Sequence, residues 1–422
     1  MRNYGLIKSM VALLAIPALF VSCSSNDETD KQYKTPRQMI ELTESTRSVA
    51  KDLRDFYGRF TADMAKYVDH SSEIEDKNVV VSPLSAAMVF AMAANGVSEN
   101  DRMEYEEYLG VKDVESLNDL CRVLIDRLPE ADNTSRFSIA NSVWVNSCTG
   151  LTLNKEYSAT VSSKYDSEVI HKDFRNESAT LEDLNSWCSS ITENRIPGHF
   201  KKLDPSTLAI LLNALYFKGR WSEEIFDASR TVADKFHGMG GGTEVMMMES
   251  DFYRGTYAND GDFDYFALYF GNEAFCLEIV LPGADNSNAE AFDGDRLTSL
   301  RRISYDTSVK AYMPKFSVNC ESDLSEMLRY MGHGRLLRPN LTMFTTSVDG
   351  LVSYRQSASF SVDETGAEVA AVTSGDYVNT APVLPKLDKV EIHVNRPFYF
   401  FISEFSTSAC ILSGRISDLD IN

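Results

Sequence analysis

The 422-residue sequence predicts an α+β fold, with helices gathered in its first half and strands in its second. Three observations carry this. Apolar residues recur at helical spacing near the start, at Val49, Leu53, Phe56, Phe60, Met64 and Tyr67. The nearly continuous apolar run from Leu208 to Phe217 has the composition of a strand buried on both faces. Short segments of strand character then follow one another to the C-terminus, separated by turn residues.

In chain order, the first periodic run predicts an amphipathic helix over about 46–69, and Asn78 to Val81 is a short apolar strand. Ser82 caps a second helix, Pro83 sits in its first turn and Gly96 stops it. Residues 136–146 alternate as a strand (Phe137, Ile139, Val143, Val145), and 151–165 read as a helix. The glycines at 238, 240, 241 and 242 mark a flexible turn between strands. Tyr265 to Phe270 and Phe275 to Leu281 flank Gly271-Asn272, a hairpin signal. Val309 to Met313 and Phe316 to Val318 lie on either side of Pro314. A helix over about 322–331 precedes the strand Ala358 to Val362, and Phe398 to Phe401 with Ala409 to Leu412 form a terminal hairpin.

The N-terminus sets the compartment. Arg2 and Lys8 mark a basic start, and Met10 to Val21 is apolar apart from Pro17, a run too short to span a bilayer as a helix. It has the form of a signal-peptide core over residues 1–22. Ser24 to Asp30 is polar and acidic, with too little apolar surface to offset the entropy of ordering, so residues 23–45 are expected to form a flexible tether. Removing residues 1–22 takes away two cations and no anion, so a formal charge of −21 becomes −23. Such a surface excludes nucleic acid as a partner, because phosphate binding needs a basic face.

The seven cysteines, at 23, 121, 148, 188, 276, 320 and 410, are widely spaced and include no CxxC pair. They form neither a disulfide framework nor a zinc pattern, and free thiols are expected, with one or two bridges left open. There is no G-x-S-x-G elbow, no H-E-x-x-H and no phosphate-cradling loop, and the six histidines are scattered. The sequence therefore offers no catalytic residue, no metal site and no cofactor, and reads as a non-enzyme.

One segment is unusual: Val362 to Thr380, V-D-E-T-G-A-E-V-A-A-V-T-S-G-D-Y-V-N-T. Its residues are small or β-branched, without proline, and alternate so that Ala367, Val369, Ala371 and Thr373 share one face. Yet it leads into Ala381-Pro382-Val383-Leu384-Pro385, an exposed loop. Asp363, Glu364, Thr365, Gly366, Ala367, Glu368, Val369, Ala370 and Ala371 resemble the hinge of the serpin family. Asn78 to Asn95 is similar to that family's N-x-x-x-S-P-x-S segment, and Asn213 to Trp221 to its N-x-x-x-F-K-G-x-W. Glu244 to Met248, Val309 to Phe316, Arg396-Pro397-Phe398 and Gly414-Arg415 match further motifs in the right order, over roughly 46–418. Phe20-Val21-Ser22-Cys23 resembles a bacterial lipobox, with Cys23 as the lipidated residue.

The resemblance implies three β-sheets, eight or nine helices and a serpin domain over 46–422, with an exposed reactive-centre loop at about 364–386. A serine or cysteine peptidase would attack the loop, and the loop would insert into the central sheet and trap the covalent acyl-enzyme. The resemblance further implies Gly366 as the pivot and Glu364 paired with Lys315. It places Ser82, Ser85, Asn213 and Gln356 in a polar cluster beneath the sheet, and Trp221 at its top. Ala367 and Val369 depart from the family's usual residues, which motivates an alternative, a non-inhibitory binding protein. Family spacing puts the attacked bond between Thr380 and Ala381, suiting an elastase-like or subtilisin-like peptidase, with Lys386 the alternative for a trypsin-like one. The expected product is an exported monomer, lipid-anchored to the bacterial outer membrane and exposed at the surface.

Overall fold

The computed structural model describes residues 35–72, 74–192, 200–284, 292–367 and 387–419. Among them are eight α-helices: α1 (Glu44–His70), α2 (Pro83–Ala94), α3 (Glu99–Leu109), α4 (Val114–Arg127), α5 (Lys155–Tyr165), α6 (Glu177–Ile191), α7 (Gly294–Ile303) and α8 (Ser325–Tyr330). Local chemistry sets their ends. Thr43 and Ser82 each accept a hydrogen bond from a backbone N–H three residues on, opening α1 and α2. Gly110, in the left-handed region at φ 72°, closes α3.

The strands form a six-stranded, a ten-stranded and a two-stranded sheet. In the six-stranded central sheet the order is Phe316–Asp323, Leu351–Asp363, Gly366–Ala367, Thr207–Arg220, Arg136–Asn146 and Glu168–Lys172. The ten-stranded sheet holds the terminal hairpin Phe398–Glu404 and Cys410–Ile416 beside Phe275–Pro282. It carries Lys389–His393 parallel to Tyr305–Pro314, and Val232–Gly238 at an outer edge.

The run read as Leu208 to Phe217 belongs to the strand Thr207–Arg220, nearly all of it buried. Its even positions Ile210, Leu212 and Ala214 pack with Trp144 under Phe174, Leu184 and Cys188, where α6 covers the sheet. Its odd positions Leu211, Leu215 and Phe217 join the main core, which continues across both large sheets. Burial on two faces is why the sequence carries no alternation there.

Three elements differ from expectation. The helix expected over 151–165 begins at Lys155, because Leu153 bridges to Phe344 as strand and Asn154 caps the helix. The strand read as Ala358 to Val362 runs from Leu351 to Asp363. Its first half escaped notice because Ser353, Arg355, Gln356 and Ser357 are polar, although all four are buried. The helix expected at 322–331 begins at Ser325, because Ser322 and Asp323 still pair with Gln356 and Arg355 as strand. The segment before α1 also differs from a free tether. Thr35 N–H donates to Asn133 Oδ1 at 3.2 Å, Arg37 lies 3.9 Å from the Phe405 ring centroid, and Ile40 N–H donates to Ser406 Oγ at 3.0 Å.

Cys121, Cys148, Cys188, Cys276 and Cys410 are free thiols, all buried except Cys148. Burial pushes the Cys121 and Cys410 thiols up to about 12, which leaves them protonated and unreactive at neutral pH.

Candidate functional site: an opening in the central sheet

Thr207–Arg220 and Leu351–Asp363 run parallel, from Thr207 opposite Leu351, past a bulge at Leu208, to Ala214 opposite Ser357, and their pairing stops there. At the far end Gly366–Ala367 stands between them, antiparallel to both. Gly366 pairs with Arg220 and Asp363, and Ala367 with Gly219 and Val362. Between these two closures, Leu215 to Lys218 face Ala358 to Ser361, and no described residue is paired between them. Among the described residues the two strands are thus unpaired over four positions, with Gly366–Ala367 standing between them at one end.

The entry turn is tightly specified. Asp363 Oδ1 accepts from Thr365 N–H and Oγ1, each at 2.7 Å. Gly366 has φ +138°, and a Cβ there would sit 2.2 Å from the Gly219 carbonyl oxygen and 2.7 Å from Arg220 Cα. Only glycine fits. Trp221, 5% exposed, closes the mouth: its backbone N–H donates to Thr365 O at 3.1 Å and its indole N–H to Asp363 O at 3.0 Å. Its ring stacks on Phe270 at 4.8 Å.

Beside the turn, Lys315 Nζ lies 2.8 Å from Glu364 Oε2, and Thr231 Oγ1 donates to Glu364 Oε1 at 2.7 Å. Burial alone would raise the Glu364 carboxyl, but these two donors outweigh it and hold the group below its ordinary range.

The structure corrects one expectation here. The hinge was read as a segment held outside the sheet until cleavage, whereas Gly366 and Ala367 are already strand, and Ala367 is 2% exposed. Ala367 is small and stands opposite Gly219, so nothing excludes it sterically. Glu368, Val369, Ala370, Ala371, Thr380, Ala381, Lys386 and Cys23 lie outside the described residues.

A buried polar row crosses the sheet where the opening ends. Gln356, Asn213 and Asn141 occupy matching positions on three adjacent strands. Asn141 Nδ2 donates to Tyr165 O at 2.9 Å, and Asn213 Nδ2 donates to Asn141 Oδ1 at 2.8 Å. Gln356 Oε1 accepts from Ser82 N–H at 2.9 Å, and Ser82 Oγ accepts from Ser85 N–H at 3.1 Å. Ser82, Ser85, Asn213 and Gln356 do gather, but in two halves: Gln356 turns to α2 and Asn213 to Asn141. Asn213 Oδ1, Gln356 Nε2 and Ser85 Oγ are buried without a partner among the described residues.

Sequence reasoning missed Asn141. Its signal was present, since it is the one polar residue on the stripe Phe137, Ile139, Asn141, Val143, Val145. Also missed was Glu278, which is 3% exposed and accepts from Arg301, Tyr265 and Ser403. A glutamate inside the apolar run Phe275 to Leu281 marked it. This cluster braces the ten-stranded sheet, away from the opening. Among the described residues, no group of three His, Cys, Asp or Glu side chains is placed to hold a metal ion.

The central sheet thus seats Gly366–Ala367 between two parallel strands, above a buried polar row. The chain belongs to the serpin family: residues 56–419 match the family described as Serpin (serine protease inhibitor). The eight helices and three sheets are those of its fold. Iripin-3 of Ixodes ricinus is 29% identical over 360 residues, covering 81% of this chain and 89% of that protein. Corticosteroid-binding globulin of Ovis aries is 27% identical over 386 residues, covering 88% and 86%. Among solved structures, the native thermophilic serpin Tengpin superposes with a TM-score of 0.75 at 24% identity, covering 91% of this chain and 97% of its own.

Proposed function

We propose that the protein is a suicide-substrate inhibitor of serine, and also cysteine, endopeptidases. The opening beneath the seated Gly366–Ala367 is the observation that carries this reading. A peptidase attacks the loop at Thr380–Ala381 and forms an acyl-enzyme. Formation of the ester with a serine peptidase, or of the thioester with a cysteine peptidase, breaks the Thr380–Ala381 bond and releases the new amino terminus at Ala381, and the loop from Glu368 onward zips into the sheet with the peptidase attached. Each inserted residue adds ladder hydrogen bonds worth about 1 kcal/mol net, so a dozen residues supply about 10 kcal/mol, comparable to the stability of a whole domain. A small residue at the attacked position suits elastase-like or subtilisin-like peptidases. Attack at Lys386 by a trypsin-like enzyme is the other outcome.

The remaining features extend the reading. Cys23 carries lipid and anchors a monomer to the outer membrane of a bacterium, where the inhibitor shields the envelope. Incubation with elastase, subtilisin and trypsin tests the inhibitory function. A covalent complex stable in SDS supports it, and cleavage alone at every ratio overturns it. Labelling with a palmitate analogue, abolished by Cys23→Ala, tests the anchor.

A second reading, a non-inhibitory binding protein, is favoured by Ala367 and Val369, where the family's usual residues are replaced. Corticosteroid-binding globulin, a relative named for binding rather than inhibition, gives it a precedent.

A further inference from the structure

Arg37, in the segment before α1, makes two contacts at once. Its Nη1 donates to the Glu273 carbonyl at 3.3 Å, and its guanidinium stacks 3.9 Å from the centre of the Phe405 ring. A planar guanidinium can do both, where an ammonium cannot. Ile40 N–H donates to Ser406 Oγ at 3.0 Å a few residues on. The segment thus spans two turns, at 270–274 and 404–409, which join neighbouring strands of the ten-stranded sheet. The turns are bonded to each other, since Phe405 N–H donates to Ala274 O at 2.8 Å.

Both turns are strained. Three described residues other than glycine lie in the left-handed region, and two of them are here: Glu273 at φ 70° and Ser408 at φ 60°. A side chain disfavours that conformation, so it persists only where the surroundings impose it. At Glu273 the surroundings are few. Its N–H donates to Phe270 O at 2.7 Å, and its carbonyl accepts from Arg37. The Arg37–Glu273 ion pair, at 3.8 Å with the carboxylate 55% exposed, adds little.

The first turn also forms the back wall of the mouth in the central sheet. Gly271 N–H donates to Arg220 O and Ser222 N–H to Tyr269 O, each at 2.8 Å, and Phe270 carries the Trp221 ring. Arg220 pairs with Gly366, and Trp221 bonds to the Asp363 and Thr365 carbonyls. Arg37, Glu273, Gly271, Arg220 and Gly366 therefore form one connected series, from the segment before α1 to the seated hinge. We infer that Arg37 is a positioning residue for strand uptake. It imposes the strained conformation at Glu273, and through Gly271 and Arg220 it keeps the mouth in the shape that seats Gly366–Ala367.

This inference rests on the inhibitory reading, and the experiment lets the two fail separately. Full-length wild type, Arg37→Ala, Glu273→Gly and the double variant Arg37→Ala/Glu273→Gly are compared. Hydrogen exchange at 219–222 and 270–274 is measured by mass spectrometry on the uncut proteins. The ratio of trapped to merely cleaved inhibitor is then measured with an elastase-like peptidase. Arg37→Ala is expected to speed exchange at both segments about tenfold and to give about threefold more cleavage per trapped peptidase. Glycine adopts a φ of 70° without strain. In the Glu273→Gly background both alanine penalties are therefore expected to shrink, which a merely structural role for Arg37 would not produce. A wild type that traps no peptidase defeats the inhibitory reading, and the positioning role with it. Given a trapping wild type, the proposal alone is overturned if Arg37→Ala exchanges or traps as wild type does. It is equally overturned if Glu273→Gly leaves the alanine penalties undiminished.

Discussion

At the residue scale, two side chains govern how the hinge is held. Glu364 is kept ionised by Lys315 and Thr231, with its carboxyl below the ordinary range. Its contribution is therefore complete above the titration range of an unfolded glutamate, and it drains away as pH falls through the lower folded value. The difference in melting temperature between wild type and Glu364→Gln is expected to be present at neutral pH and to vanish in acid. Lys315 is half-exposed, so the pair contributes about 0.5 kcal/mol. Gly366 is the stricter constraint. Gly366→Ala drives a methyl group into the Gly219 carbonyl at a left-handed φ, and is expected to cost about 1–3 kcal/mol. The measurable result is a lowered melting temperature, together with release of Gly366–Ala367 from the sheet, seen as faster amide exchange at Gly219.

At the element scale, the seated strand turns the loop sequence into a set of addresses. On the strand uptake proposed above, continuing the register of Gly366–Ala367 would bring Val369 beside Phe217 and Phe360, both buried. A valine between two phenylalanines crowds the opening where alanine does not. Val369→Ala is expected to yield about threefold fewer cleavages per trapped peptidase, read by titrating active peptidase against inhibitor. A rise in cleavage would show that the opening tolerates the larger side chain.

How much was legible also differs by element. Strand 136–146 was read with its boundaries correct because only one of its faces meets the main core, which gives period-2 alternation. α2 was legible through Ser82, Pro83 and Gly96. The polar half of Leu351–Asp363 was hidden, because burial of Arg355 and Gln356 depends on partners far away in sequence: the Lys202 carbonyl and the Ser82 N–H. The edge strand Val232–Gly238 was equally silent, with Val232 58% exposed and Phe236 its one buried side chain, too little to make a pattern. Of the site, Ser82, Gln356, Asn213, Trp221, Lys315 and Glu364 came from an ordered set of motifs. That Gly366–Ala367 is already inserted did not, because a sequence that suits a strand does not say when it becomes one.

At the scale of the whole molecule, two cores of unequal size meet on the central sheet. The main one ties the inner face of the sheet to α1, α2 and the ten-stranded sheet. The smaller one, under α6, rests on a handful of side chains including Leu184, Cys188, Trp144 and Leu212. Widening the sheet must disturb this smaller, cheaper layer. Leu184→Ala, which opens a cavity there, is expected to lower the native melting temperature by an amount worth about 2–5 kcal/mol. It is also expected to leave the gain on loop cleavage intact. A loss of that gain would mean that α6, not the opening, sets the reserve.

The molecule also carries its own optical gauge. Only three tryptophans occur in the chain, and Trp221 alone is bonded to the entry turn, through the Asp363 carbonyl and beside Thr365. An indole stacked on Phe270, with its N–H committed to that turn, changes emission whenever the turn shifts. The strand uptake proposed above can thus be tested in real time, with no attached dye, by exciting the native protein and watching one ring.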